Sequence, residues 1–213
     1  IAAAKNYEKT LNKEELVLVF DIGGGTSDFT LMRLSPQQHG KEDRTGDILA
    51  NTGIHIGGTN FDKNFNLHTI MPHMGYGGEQ IGGLPIPASH YHSLSTWHLI
   101  NSLYTKKNRS SIRDLYTRSS DKKLTHRFLH TIENQRGHEL AENVEKAKIS
   151  LTEKKAISMN LSFIENGWNI PVQISQLEKS INNDLDKIIK VAVEAVTKLG
   201  GINTKQVDTI FMT

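Results

Sequence analysis

Residues 20–30 read FDIGGGTSDFT, three consecutive glycines between two aspartates with apolar β-type runs on either side. Each glycine surrenders unusual backbone freedom on ordering, so a run of three in a folded chain needs a compensating use. Residues 16–20 (LVLVF) form a continuous apolar run, the pattern of a strand buried on both faces. Residues 29–34 (FTLMRL) resume strand character, and two strands joined by a short glycine loop predict a hairpin. Glycines let backbone amides approach an anion closely and allow dihedrals that turn successive N–H groups inward. That points to Gly23, Gly24 and Gly25 as a phosphate nest, with Thr26 supplying a hydroxyl donor. The carboxylates of Asp21 and Asp28 would repel phosphate unless a cation lay between them. Magnesium fits, because it keeps several waters and is held through carboxylates and substrate phosphates. The plainer alternative is a hairpin loop with solvated aspartates. Two acids, a threonine and a preceding buried strand favour phosphate binding.

The remaining pattern mixes strands and helices. Residues 48–56 (ILANTGIHI) read as a third strand ending at Gly57-Gly58, and Thr59 or Asn60 is placed to cap a following helix. Residues 74–87 are dense in Gly and Pro and read as an irregular loop. Helical stretches fill residues 89–137, and another helix covers 138–151. Residues 157–164 and 168–174 bracket Asn166-Gly167, a hairpin-turn signal. Ser175 with Glu178 matches a capping box, opening a helix with Leu177, Ile181, Leu185 and Ile188 at steps of three and four. Gly200-Gly201 stops it, and residues 207–212 predict a last strand.

The formal net charge is only +2, from 25 Lys and Arg against 23 Asp and Glu, which excludes a broad electrostatic demand for nucleic acid or anionic membrane. Cysteine is absent, so disulfides and thiolate metal sites are excluded and a reducing, cytoplasmic setting is expected. No apolar run approaches the roughly 18 residues of a membrane helix. The chain starts at Ile1 and stops at Thr213 inside a strand-like segment, so it reads as a piece of a longer protein.

The motif Asp-x-Gly-Gly-Gly-Thr-x-Asp after an apolar strand resembles the second phosphate motif of the actin-like ATPase superfamily, most closely the DnaK-type heat-shock chaperones. Further stretches agree in order: Ala2-Ala3-Ala4 with Tyr7, Gly57-Gly58 before Phe61-Asp62, and residues 145–152 (EKAKISLT). The long insertion containing residues 73–77 (HMGYG) and 84–87 (LPIP) resembles the YegD-like branch. The resemblance implies an α/β fold, an actin-like ATPase (ribonuclease H-like) lobe with an α-rich inserted subdomain. Residues 1–56 and 183–213 would form lobe IIA and residues 57–182 lobe IIB.

The same resemblance implies roles. Gly23, Gly24, Gly25 and Thr26 would hold the β- and γ-phosphates of ATP or ADP, while Asp21 and Asp28 organise Mg²⁺ waters and the attacking water. Gly57 and Gly58 would approach the phosphates from across the cleft. Glu145 and Lys148 would hydrogen-bond the ribose, and Thr152 would lie near adenine where the family uses a serine. Their spacing of three and four independently places all three on one helical face. Departures stand beside these matches: Thr59-Asn60 for a usual Glu-Asp, Ser27 for a frequent phenylalanine, and Ile149 for an arginine. The expected protein is an ATP-binding chaperone lobe whose parent slowly hydrolyses ATP, the 213-residue chain alone being incompetent. Its expected partners are nucleotide, co-chaperones or exchange factors, and unfolded clients. The alternatives are an actin-like cytoskeletal ATPase, or an interaction module with a vestigial nucleotide site.

Outside that motif set, His90 with His92, and His126 with His130, are candidate metal pairs; exposed histidines are the plainer reading. The basic stretch Lys106, Lys107, Arg109, Arg113 and Arg118 reads as a solvated helical face. Trp97 with Leu94 and Ile100 reads as packing inside the insertion.

Overall fold

The computed structural model describes residues 6–38 and 43–212. Ala2-Ala3-Ala4 and Thr213 lie outside them. The chain divides into two compact units, Ile1–Gly58 with Asn183–Thr213, and Thr59–Asn182.

The first unit opens with the predicted hairpin, β1 (Glu15–Ile22) and β2 (Ser27–Leu34), paired antiparallel from Glu15↔Leu34 to Ile22↔Ser27. β3 (Ile48–Ile54) pairs antiparallel with β2. It ends two residues before the expected boundary because the Ile56 N–H turns back to the Ile54 carbonyl at 2.8 Å, which breaks the ladder.

The second unit is mostly helical. Its elements are α1 (Gly58–Thr69), α2 (Ser89–Leu94), α3 (Lys106–Arg118), α4 (Lys122–Glu133) and α5 (Gly137–Glu153), with a 3₁₀ segment over Trp97–Tyr104. Asp121 caps α4 by accepting from the Leu124 N–H at 3.0 Å. Phe65, Ile70, Met74, Tyr91 and Phe128 form the centre of the core, with Tyr91 and Phe128 stacked at 4.2 Å. α1 begins at Gly58, so Thr59 and Asn60 lie in its first turn rather than at a cap. Trp97 corrects the packing expectation: Leu94 and Ile100 are fully buried, but the indole is 58% exposed.

β4 (Ala156–Asn160) and β5 (Asn169–Gln173) are shorter than expected. The tight turn at Asn166-Gly167 is present, with Gly167 at φ +71° and the Trp168 N–H bonded to the Glu165 carbonyl at 2.9 Å. Leu161, Ile164 and Trp168 lie beyond the strand ends and are buried in the core, with the Leu161 N–H donating to the Trp168 carbonyl at 2.9 Å. α6 (Ile174–Glu194) starts one residue before Ser175, so the Ser175–Glu178 box does not form. Gln176 does the capping instead, its side-chain oxygen accepting from the Gln173 N–H at 2.8 Å.

α6 ends in a π-helical turn over Ala195–Leu199, closed by the Gly200 N–H on the Ala195 carbonyl at 3.0 Å. Gly200 touches Leu31: a Cβ there would lie 2.5 Å from Leu31 Cδ2. The chain then returns as β6 (Thr209–Met212), parallel to β1, giving the sheet order β3-β2-β1-β6. Val17, Leu18 and Val19 are all buried, as a strand covered on both faces requires.

Candidate functional site

The β1–β2 hairpin holds the glycines at its tip. The Gly23 N–H donates to the Thr26 carbonyl at 2.9 Å and closes the turn. None of Gly23, Gly24 and Gly25 has a positive φ, so the expected inward-turning left-handed dihedrals are not what selects glycine here. Two other features mark the turn. A Cβ on Gly24 or Gly25 would meet nothing within 4 Å, so both face open space. At Gly57 a Cβ would lie 2.5 Å from the Gly23 carbonyl oxygen and 2.8 Å from the Gly24 carbonyl carbon. The Gly58 N–H donates to that same Gly23 carbonyl at 3.0 Å, so the glycine pair is a backbone brace for the turn.

Asp21 and Asp28 stand directly opposite each other at the mouth of the hairpin. Both are exposed, and no salt bridge reaches either among the described residues. Like charges facing across a ladder are unfavourable, and a cation between them reverses the sign. Among the described residues no three histidine or acidic side chains cluster to hold a metal directly. The Thr26 hydroxyl donates to Asp28 Oδ2 at 3.0 Å, so its single proton orients that carboxylate.

Two supporting residues escaped the sequence reading. Ser27 is fully buried, and its hydroxyl donates to the Ile56 carbonyl at 2.7 Å, anchoring the segment that delivers Gly57. Gly53 faces Asp28 across the ladder, where a Cβ would come within 2.3 Å of Asp28 Oδ1. A glycine inside a strand pattern was the available signal for that close approach.

In the second unit, α5 carries Glu145, Lys148 and Thr152 at helical spacing. Lys148 Nζ pairs with Asp62 Oδ1 at 2.7 Å. Burial pushes the Asp62 carboxyl above its usual range; Lys148 opposes this and the Glu145 charge adds to it. The Thr152 hydroxyl donates to the Ile149 carbonyl at 2.7 Å, and Ile149 is largely exposed beside it. His90 and His92 lie on α2 rather than a strand, so two-residue spacing separates their faces. His90 meets Ser111 Oγ at 3.0 Å, whereas His92 packs edge-on to Tyr76. The rings of His126 and His130 lie 6.2 Å apart on α4. The basic residues of α3 are tied locally, Arg113 to Glu133 at 2.6 Å and Arg109 over the Tyr104 ring.

No protein-family model matches the chain. It is 26% identical over 202 residues to the chaperone protein DnaK of Mycoplasmopsis synoviae, an alignment covering 92% of this chain and 24% of that protein. It is 25% identical over 217 residues to the mitochondrial heat shock 70 kDa protein of Pisum sativum, covering 99% of this chain and 24% of that one. The similarity is to heat-shock chaperones. It extends along nearly the whole chain, which spans about a quarter of the length of these curated relatives. No helix among the described residues is long and apolar enough to cross a membrane.

Proposed function

We propose that this chain is the ATP-binding lobe of a DnaK-like molecular chaperone, of the YegD-like branch. Its fold would be an actin-like ATPase lobe: residues 1–56 and 183–213 as lobe IIA, residues 57–182 as lobe IIB. The observation that carries the reading is the Asp21–Asp28 pair, without an ion-pair partner among the described residues, flanking a glycine turn with open space beside Gly24 and Gly25. Gly24 and Gly25 leave room for a phosphate to reach the main chain. Asp28 is held by Thr26, and Asp21 faces it. When bound, Mg²⁺ supplies charge neutralisation of the phosphates. Asp21 and Asp28 would hold its waters, and their carboxylates would orient the water that attacks the terminal phosphate.

Glu145, Lys148 and Thr152 would contact the nucleoside. In that role Lys148 must share its charge between Asp62 and the ribose. Because the relatives are about four times longer, ATP turnover is proposed for the protein that carries this chain, with nucleotide, co-chaperones and unfolded clients as its partners, in the cytoplasm.

The test is Mg-ATP affinity and phosphate release by that protein, wild type against Asp21→Asn and Asp28→Asn. Each substitution should weaken Mg-dependent binding by at least about tenfold, or 1.4 kcal/mol. Unchanged affinity and turnover in both variants would leave a protein-interaction module with a vestigial site as the better reading.

A further inference from the structure

A cavity of about 320 Å³ opens in the Thr59–Asn182 unit, lined by Asp62, Asn66, Ser95, Trp97, Glu142 and Glu145 among others. That volume falls within the range of roughly 300–1,000 Å³ typical of small-ligand sites. Its unpartnered groups are an amide oxygen and a hydroxyl. Asn66 is 2% and Ser95 8% exposed, and neither Asn66 Oδ1 nor Ser95 Oγ finds a hydrogen-bond partner among the described residues. Buried polar atoms are ordinarily paired, so two at one cavity point to an occupant.

Charge points the same way. Lys148 balances Asp62 and Lys146 balances Glu142, while Glu145 has no ion-pair partner among the described residues. The Glu145 charge also reinforces the upward push that burial gives the Asp62 carboxyl, a crowding that a cation would relieve. Trp97 contributes a 58% exposed indole, the best aromatic partner for a cation. Water could satisfy Asn66 and Ser95, but it would not stack on the indole.

We infer that this cavity binds a guanidinium group, carried by a small molecule or by an arginine side chain of another protein. A guanidinium is planar, permanently charged and weakly hydrated, stacks on aromatic faces and offers five N–H donors to spread-out acceptors. A compact ammonium offers three donors from one point and would leave much of the volume unfilled. The inference uses no hairpin residue; it shares Glu145 with the proposed nucleoside contact and therefore concerns the nucleotide-free chain.

Agmatine titrated into the nucleotide-free chain, followed by tryptophan emission, tests it. Trp168 is only 8% exposed and serves as the steady background to Trp97. The expected result is a saturating change with Kd below about 10 mM. Glu145→Gln, at an exposed helix position, should weaken binding about tenfold, as loss of a charge-assisted hydrogen bond does. Thermal melting of the variant confirms its fold. N-carbamoylputrescine, which keeps the ammonium of agmatine but carries a neutral urea in place of the guanidinium, should produce no saturating change. N-acetylarginine amide distinguishes the source: tighter binding than agmatine indicates a protein arginine, weaker binding a free small molecule. Absence of saturation, an equal response to the urea analogue, or unchanged affinity in a folded Glu145→Gln variant would overturn the inference.

Discussion

Gly57→Ala and Gly24→Ala are the same chemical change at two glycines of one motif, and the structure assigns them opposite consequences. At Gly57 the added methyl would sit 2.5 Å from the Gly23 oxygen and 2.8 Å from both the carbon and oxygen of the Gly24 carbonyl. These are backbone atoms, and the Gly23 oxygen already accepts from Gly58, so no side-chain rotation relieves the contact. Overpacking of this kind costs about 1–3 kcal/mol. For a chain of this size each kcal/mol shifts Tm by roughly 2–4 °C, so Gly57→Ala should melt about 2–12 °C lower. At Gly24 the methyl meets nothing within 4 Å and φ is not positive. Alanine there should be neutral or stabilising by up to about 1 kcal/mol, through reduced freedom of the unfolded chain. If the proposed function holds, that same methyl blocks phosphate from the backbone, and Mg-ATP affinity falls although the protein is no less stable. Thermal melts and urea titrations of both variants provide the check. Equal destabilisation by the two, or a neutral Gly57→Ala, would refute the brace.

Other perturbations follow from single contacts. Arg44 holds the 2% exposed Glu8 in a bidentate pair at 2.9 and 2.7 Å, so Arg44→Ala should cost about 3–5 kcal/mol by urea titration, as removing one partner of a buried ion pair does. Ser27→Ala removes the hydroxyl from the buried Ile56 carbonyl and should cost about 1–3 kcal/mol in the same assay. Burial holds His73 and His90 below their ordinary value of 6.5, with the Arg127 charge assisting at His73. The unfolded chain therefore binds more protons than the folded one below that value. Their contribution is complete above pH about 6.5 and is lost as pH falls through the depressed folded values. A His73→Gln, His90→Gln double variant should flatten the decline in urea midpoint as pH falls below about 6.5.

The hairpin was legible from residues 16–34 because a doubly buried strand and a glycine break are both local signals. Asn166-Gly167 likewise announced its turn, since the left-handed geometry it needs is a property of the dipeptide. The failures have a common cause. Ser175 and Glu178 had the spacing of a cap, yet α6 begins at Ile174 with Gln176 on the Gln173 N–H, and spacing cannot say which of two competing side chains reaches first. Trp97 was read as core from its apolar neighbours, but a 3₁₀ segment turns adjacent residues to different sides and leaves it half in solvent.

The sequence by itself determined the strands, most of the helices and the glycine turn flanked by two carboxylates. Tertiary structure decided what those glycines are for: Gly57 braces Gly23 and Gly24, Gly53 makes room for Asp28, and only Gly24 and Gly25 face open space. It also joined Lys148 to Asp62 and gathered the acceptors around Trp97. The physical reason is range. Propensity and periodicity act over a few residues, whereas the hydrogen bond of 3.0 Å from the Gly58 N–H to the Gly23 carbonyl exists only after the sheet has brought distant backbone together.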